Sequence, residues 1–283
     1  YFWLLPAYIM FYVMLPKLAG GKLYSDLAGR IALFGFLIFS IPVGVHHQFS
    51  DPSIGQNIKF FQGLLTYGVT IPSFITAFTI AASLEYAGVK RGAKGLFGWM
   101  ARLPYLDTNN FMFAYLIAGL ILFIFGGLTG IVNASYSLNN VIHNTSWLPG
   151  HFHMTVAGPV FLAIIGMCTY LYAKMSGKKI FLPKVNVIIP YLWMIGVLIF
   201  STGLMWGGLI GEPRRTNLGM TYLNPKHTLF TPEWVPTTML ALLGGIIMFI
   251  AAMLFIVVFF GTMFRKKQEE AVLELPYREA YND

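Results

Sequence analysis

The sequence predicts an all-α fold, a bundle of transmembrane helices that forms part of a larger subunit. Of its 283 residues, 57% are hydrophobic and only 11% are charged, whereas soluble domains carry about 25% charged residues. The apolar residues gather in long runs, and the basic residues gather in every second connection between these runs. Because lipid offers no hydrogen-bonding partner to the backbone, such runs are expected to be helical.

Seven apolar segments are present, and a helix needs roughly 20 residues to cross a bilayer. They are Tyr1–Leu15, Ile31–Val45, Phe60–Leu84, Phe111–Val132, Phe152–Ala173, Val187–Ile210 and Thr237–Phe264. The first is too short, so we expect it to be the latter part of a helix that begins upstream. We therefore predict a transmembrane domain over residues 1–264 and a short polar cytoplasmic tail over residues 265–283.

The distribution of basic residues predicts which side each connection faces. Of the 19 Lys and Arg residues, 15 lie in the stretches 17–30, 90–102, 174–184 and 265–278. The other side has only Lys59, Arg214, Arg215 and Lys226. Basic loops tend to stay in the cytoplasm, so we expect the first group there. Basic cytoplasmic loops also account for the net charge of +8. We therefore expect membrane lipids to surround the protein and expect no nucleic acid as a partner.

Histidines and a tyrosine lie at one depth in three separate segments. His46 and His47 end the second segment about 25 Å from its inner end, and Tyr1 lies about 24 Å from the inner end of its own. His151 and His153 begin the fifth segment on the same outer side. Ionisable residues at membrane depth are costly and usually functional. Since imidazole ligates both copper and haem iron, this convergence predicts a metal site.

The spacing within each histidine pair predicts how many metals are bound. In a regular helix, His151 and His153 project about 200° apart, which suits two metals on opposite faces of the helix. His46 and His47 are adjacent in the sequence, so they suit one metal only where the helix ends or is distorted.

Three stretches of this sequence resemble the subunit I family of haem–copper oxidases. The stretch from Asn133 to His153, which ends in Trp-Leu-Pro-Gly-His-Phe-His, is similar to the family signature. Pro42-Val-Gly-Val-His-His-Gln-Phe49 resembles its copper-ligand segment, and Tyr1-Phe-Trp-Leu-Leu-Pro6 resembles the sequence after a His-Pro-x-Val motif. The likeness extends through Glu212-Pro-Arg-Arg215 and is greatest to the B family, the cytochrome ba-three type.

The resemblance implies a role for each of the histidines. His46 and His47 would be two of three ligands of the active-site copper, usually called copper B. His151 would be the axial ligand of the high-spin haem, and His153 one of two axial ligands of the low-spin haem. Tyr1 would supply an electron and a proton when the O–O bond breaks. The remaining ligands would precede Tyr1.

The resemblance also implies residues that bind the haem propionates. Arg214 and Arg215 are the expected partners, because guanidinium groups match carboxylates bidentately. His143 and Asn139 fall where family members approach the propionates of the high-spin haem. Asn139 stands where the family often has Asp.

Two polar stripes predict a proton path from the cytoplasm to this site. Tyr8 and Tyr12 share a helix face with Tyr1, at offsets of seven and eleven residues. A second stripe in the third segment consists of Thr66, Ser73 and Thr76. A hydroxyl in a membrane helix often bonds only to its own backbone, but two stripes that converge on one site favour proton conduction. The arrangement resembles the K-type channel of the B family.

The expected function is that of a terminal respiratory oxidase of a prokaryotic cell membrane, which reduces O₂ to water with proton uptake and pumping. Its electrons would come from cytochrome c or quinol. The lone Cys168 cannot supply the paired thiolates of a dicopper centre, so a subunit II that bears this centre is an expected partner. The N-terminal part of subunit I is the other.

Two other functions are open at this stage. A nitric oxide reductase of the same superfamily has non-haem iron in place of copper and typically needs a glutamate near it. Every Glu of this chain lies outside or at the end of an apolar segment, which disfavours that function. A membrane transporter with histidine proton relays would explain the intramembrane histidines but not the two arginines.

Overall fold

A computed structural model describes residues 3–40, 47–215 and 221–267, and almost all of this part is helical. No strand occurs within these ranges, so the predicted all-α fold is confirmed. The α-helices are α1 (Leu5–Val13), α2 (Leu15–Leu18), α3 (Asp26–Ser40), α4 (Gln56–Gly68), α5 (Thr70–Lys90), α6 (Phe111–Ala134), α7 (Tyr136–Ile142), α8 (Trp147–Phe152), α9 (Pro159–Ser176), α10 (Pro183–Leu209) and α11 (Val235–Met263).

Five helical stretches in the described part are long and apolar enough to cross a membrane. They are Gln56–Lys90, Phe111–Ala134, Trp147–Ser176, Pro183–Leu209 and Pro232–Met263, and they correspond to the third to seventh predicted segments. The first two predicted segments overlap with α1, α2 and α3. Within the described residues, these helices are shorter than the five spanning stretches. The predicted domain boundary at residue 264 stays a prediction, because most of the tail lies outside the described residues.

Helix α6 lies at the centre of the bundle. It packs against α9 and α10 and also contacts α1, α2, α4 and α5. In the most apolar 18 residues of α6, 72% are buried inside the bundle, whereas the corresponding share is 17% in the stretch that contains α11. Large apolar side chains such as Phe34, Phe60 and Phe249 remain exposed at the periphery, where a bilayer would cover them.

The two ends of the bundle group the connections as the basic residues predict. At one end, the Arg91 guanidinium donates to the Ala19 carbonyl over 2.9 Å, which joins two of the basic stretches. At the opposite end, the Ser146 amide donates to the Glu212 carbonyl over 2.8 Å. Segments expected on one side of the membrane therefore contact each other.

The predicted fifth segment is interrupted by a π-helical turn over His153–Ala157, between α8 and α9. The Gly158 amide donates to the His153 carbonyl over 2.9 Å, five residues back along the chain. Pro159 follows at once, and it has no N–H group and would clash with a carbonyl in a regular helix. The wider turn avoids this clash. The regular helix assumed from the sequence therefore ends at the second of its two histidines.

Helices α10 and α11 pack backbone against backbone, and glycine makes this approach possible. A Cβ atom on Gly244 would lie 2.2 Å from the Phe200 amide nitrogen and 2.6 Å from the Gly196 carbonyl oxygen. Without a strong hydrophobic driving force in lipid, such close packing of small residues is a main source of helix association.

We predict that Gly244→Ala destabilises the subunit, whereas Gly245→Ala does not. Both changes raise helix propensity equally, but a Cβ on Gly245 would make only an ordinary contact of 3.7 Å with the Phe200 ring. Overpacking at Gly244 should cost about 1–3 kcal/mol, measured as a lower midpoint of thermal unfolding in detergent. Equal midpoints for the two variants would contradict the close packing of α10 and α11.

Candidate metal centre

A cavity of about 830 Å³, here called the central cavity, is lined by residues of α1, α3, α4, α5 and α6 and by the helix that carries the paired histidines. Its volume is within the usual range for ligand pockets. Most of its lining is apolar, and the polar side chains include His47, Thr66, Ser73 and His151. Two of the predicted metal ligands and two residues of the predicted proton path therefore line one space.

Two of the predicted ligands face each other across this cavity. The ring centroids of His47 and His151 are 6.5 Å apart, with an angle of 38° between the rings. The Phe152 ring lies 5.0 Å from the His47 ring and 5.5 Å from the His151 ring. His46 and Tyr1 lie outside the described residues. The described geometry thus brings together one residue from each predicted histidine pair.

His151 is buried and held through one ring nitrogen. Its Nδ1 atom lies 2.8 Å from the Thr129 hydroxyl oxygen, and this hydroxyl donates to the Gly126 carbonyl over 2.8 Å. A hydroxyl has only one proton. With that proton directed to Gly126, Nδ1 donates to Thr129, and in this tautomer Nε2 keeps a lone pair that could bind a metal.

His153 is held in the same way on another side of the helix. Its Nδ1 atom lies 2.6 Å from the Pro149 carbonyl oxygen, which can only accept. Nε2 is therefore the acceptor nitrogen here as well. The His153 ring packs against Phe200 of α10 at 4.6 Å and does not line the central cavity. The two imidazoles thus lie in different surroundings, His151 at the central cavity and His153 against α10.

Glycines of α6 form the wall of the cavity beside His151. A Cβ on Gly130 would lie 3.2 Å from His151 Cε1, and a Cβ on Gly127 would meet nothing within 4 Å. A Cβ on Gly126 would instead lie 2.7 Å from the Thr155 methyl carbon, so that glycine serves close helix packing. An open apolar wall beside an imidazole with its Nε2 lone pair available fits the flat ring of a haem.

Asn139 lies in α7 and His143 directly follows this helix, on the outer side of the bundle. Burial lowers the pKa of His143, the nearby Arg214 guanidinium lowers it further, and Asp51 acts in the opposite direction. Asn139 is buried, and its side-chain amide donates to the Asn133 carbonyl over 2.8 Å. Asn139 therefore closes the end of α6, while His143 shares its surroundings with Arg214.

Arg214 is fixed to the segment that leads into the histidine helix. Its backbone amide donates to the Asn144 carbonyl over 3.1 Å, and its guanidinium donates to the Asn144 side-chain oxygen over 3.2 Å. Thr145 and Pro213 form an antiparallel bridge beside these contacts. Arg215 is exposed and has a left-handed backbone conformation with φ of 55°. Arg214 is thus attached to the segment that precedes α8.

The predicted proton-path residues are joined in part. The Tyr12 hydroxyl of α1 donates to the Thr76 hydroxyl of α5 over 2.8 Å, and Thr76 donates to the Pro72 carbonyl over 2.8 Å. This contact links the two predicted stripes directly.

The other three residues of the predicted path adjoin the cavity or the aromatic core. Thr66 and Ser73 line the cavity, but each hydroxyl donates to a carbonyl of its own helix, over 2.7 and 2.9 Å. Tyr8 is buried and makes edge contacts with the rings of Phe36 and Phe123, at 4.6 and 5.0 Å.

Sequence reasoning did not identify three polar residues of this part of the bundle: Thr129, which contacts His151, and the buried Asn133 and Trp147. The side-chain amide of Asn133 and the Nε1 atom of Trp147 are buried without a partner among the described residues. Buried polar groups are costly when unpaired, so these atoms are candidates for contact with a polar ligand or water. In the sequence, the only signal was their position near or within the stretch that carries the family signature.

Glu212 precedes the arginine pair, and no role for it is predicted from the sequence. Its carboxylate is buried and makes no ion pair within the described residues. It accepts from the Thr238 hydroxyl over 2.9 Å, and the Thr237 hydroxyl, which also bonds to the Trp234 carbonyl over 2.8 Å, lies 3.3 Å from it; both threonines are at the start of α11. Together with the bond from Ser146, these contacts join the arginine segment to α8 and α11.

We predict that Thr238→Val destabilises the subunit. Valine keeps the shape of the side chain but removes a donor to the buried carboxylate, which should cost about 1–3 kcal/mol. Thr169→Val is the matched control, because the Thr169 hydroxyl bonds only to a carbonyl of its own helix. Thermal unfolding of both variants in detergent tests this. A Thr238→Val protein as stable as the control would show that the carboxylate does not depend on this bond.

Comparison with known proteins agrees with this geometry. The family model for cytochrome c and quinol oxidase polypeptide I matches residues 1–247. Cytochrome c oxidase subunit 1 of Thermus thermophilus is 43% identical over 278 residues, which are 98% of this chain and 48% of that protein. A probable quinol oxidase subunit 1 of Staphylococcus haemolyticus is 31% identical over 221 residues, which are 76% of this chain and 30% of that protein.

A solved structure gives the same result. A chain from a haem–copper terminal oxidase dimer, determined by cryo-electron microscopy, matches all of this chain and 50% of its own length, with a TM-score of 0.93 and 47% identity. The chain therefore belongs to the subunit I family of haem–copper oxidases, and the predicted resemblance is confirmed. The chain spans about half the length of the first of these relatives. Members of the family normally bind haems and copper.

Proposed function

We propose that this chain is part of the catalytic subunit of a terminal respiratory oxidase, which reduces O₂ to water with coupled proton uptake and pumping in a prokaryotic cell membrane. The observation that carries the proposal is the pair of imidazoles, His47 and His151, that face each other across the central cavity in a member of this family.

Each histidine has a separate part in this proposal. His151 binds the high-spin haem through Nε2, and His47 binds copper B together with His46. His153 binds the low-spin haem on the other side of the helix, with its second ligand in the upstream part of subunit I. When bound, the haems and copper would pass electrons from the external donor to O₂. Tyr1 supplies a further electron and proton.

The residues on the outer side orient the haem carboxylates. Arg214 and Arg215 pair with the propionates, and His143 and Asn139 adjoin them. The Asn144 contacts hold Arg214 to the segment before α8. These contacts would hold a propionate bound by this guanidinium beside the segment that leads into α8.

Protons reach the cavity from the cytoplasmic side along α1 and α5. The Tyr12–Thr76 hydrogen bond supports this route, because it joins the two polar stripes. Tyr8, Ser73 and Thr66 continue the route towards the cavity. Hydroxyl groups can pass a proton on by rotating from one acceptor to the next.

The chemistry of the cavity favours oxygen reduction over nitric oxide reduction. Among the described residues, no carboxylate lines the cavity, and the buried Glu212 is bound to threonines of α11. Carboxylate ligands suit iron, whereas an imidazole site suits copper. Cytochrome c is the proposed donor, through a dicopper-bearing subunit II, and the likeness to a probable quinol oxidase supports quinol as the alternative.

We expect three histidine substitutions in the complete oxidase complex to remove three different cofactors. His47→Ala should lose copper and keep both haems, His151→Ala should lose the high-spin haem, and His153→Ala the low-spin haem. Each should abolish O₂ consumption. His227→Ala, in an outer loop far along the chain from these positions, is the control and should keep all three cofactors.

Haem spectra, metal analysis and turnover assays distinguish the three candidate functions. A purified complex without haem would support a histidine-relay transporter. Iron without copper, together with nitric oxide consumption that exceeds O₂ consumption, would support a nitric oxide reductase.

Tyr12→Phe and Thr76→Val should slow proton uptake while leaving the cofactors in place. Each removes the hydrogen bond between α1 and α5. We expect steady-state O₂ consumption to fall about tenfold or more, which corresponds to about 1.4 kcal/mol on the barrier. Tyr24→Phe, which changes an exposed tyrosine, is the control. Wild-type turnover and proton uptake in both path variants would exclude this route.

A further inference from the structure

We propose that Thr129 is a positioning residue for His151. The Thr129 hydroxyl accepts a hydrogen bond from the imidazole Nδ1–H and donates one to the Gly126 carbonyl. This chain of hydrogen bonds strengthens Nε2 as a ligand of the haem iron. This inference rests on the proposed role of His151 as that ligand.

The direction of the hydrogen bonds follows from the number of protons available. Thr129 lies one helical turn after Gly126 and donates its only hydroxyl proton to that carbonyl. Its oxygen, 2.8 Å from Nδ1, can then only accept from the imidazole. The three groups form a chain with one direction, and that direction fixes the tautomer in which Nε2 points away with its lone pair.

The surroundings make this chain effective. The imidazole is buried, and hydrogen bonds are electrostatically stronger in a low dielectric and polarise one another along a chain. A hydroxyl that donates to a carbonyl is itself a better acceptor. Partners of the second ring nitrogen of a ligating histidine raise its basicity. Thr129 is therefore expected to have a stronger effect than an isolated hydroxyl, but a weaker one than a carboxylate.

A purely structural role for Thr129 is the competing explanation. Threonines in membrane helices often bond to their own backbone, as Thr169 does with the Ile165 carbonyl. Thr129 differs because its oxygen also meets Nδ1 of a predicted ligand on another helix. The Gly126 carbonyl lies close to the imidazole as well, so this carbonyl alone is the alternative partner that the experiment must separate.

The test uses the complete oxidase complex with Thr129→Val, which keeps the shape but removes the hydroxyl, and Thr129→Ser, which keeps the hydroxyl. Thr169→Val is the control for loss of a buried threonine. Resonance Raman spectroscopy of the reduced enzyme gives the iron–histidine stretching frequency, and a redox titration gives the midpoint potential of the high-spin haem.

We expect Thr129→Val to lower the stretching frequency and raise the midpoint potential, because a weaker ligand stabilises ferric iron less. Thr129→Ser should restore both values, and Thr169→Val should match the wild type. Should the valine protein lose its haem, Thr129→Ala, compared with Thr129→Ser, provides the same measurement with a smaller side chain.

Two results would overturn the inference, and they are distinguishable through His151→Gly. If the stretching band requires His151 but is the same with and without the Thr129 hydroxyl, the positioning role is wrong and the Gly126 carbonyl holds the imidazole alone. If the band persists in His151→Gly, the proposed ligand is wrong, and the inference about Thr129 fails with it.

Discussion

The constraint on which this structure depends is that a chain surrounded by lipid must satisfy its polar groups from within. Regular helices do so for the backbone, and most hydroxyl groups of the bundle do so by bonding to a carbonyl of their own helix. The side chains that depart from this rule are therefore informative. Tyr12 reaches Thr76 on another helix, and Thr129 reaches His151. The Thr129 contact reaches a histidine that lines the central cavity, and the Tyr12 contact joins the two predicted polar stripes.

The candidate metal centre depends on two supports that come from opposite sides of the histidine helix. Helix α6 offers Thr129 and the open glycine wall on one side. On the other side, the segment with Glu212 and Arg214 is joined to the residues that precede α8 and to the start of α11. The segment that leads into the histidine helix thus carries the attachment for the predicted propionate partners. This arrangement lets small changes in packing alter the position of a ligand.

Much of the fold could be predicted from the sequence, because long apolar runs and alternating basic connections follow directly from the chemistry of the bilayer. The approach of His47 and His151 could be anticipated from their common depth. The π-helical turn could not, because it depends on how Gly158 and Pro159 pack in the assembled bundle. The role of Thr129 was also hidden, since it depends on a partner 22 positions away and on which way one proton points. Tyr1 and His46 lie outside the described residues, so their roles stay predictions.

The π-helical turn at His153–Ala157 has a consequence for the whole length of α9. A turn that closes five residues back holds one residue more than a regular turn, and one residue corresponds to about 100° around a helix axis. The face of α9 that packs against α6 is therefore rotated relative to the face of α8 that presents His151. The residues before Gly158 can therefore be placed to suit the predicted metal ligation, and the residues after it can be placed to suit packing against α6. The extra residue uncouples two periodic patterns that a continuous helix would force into one register.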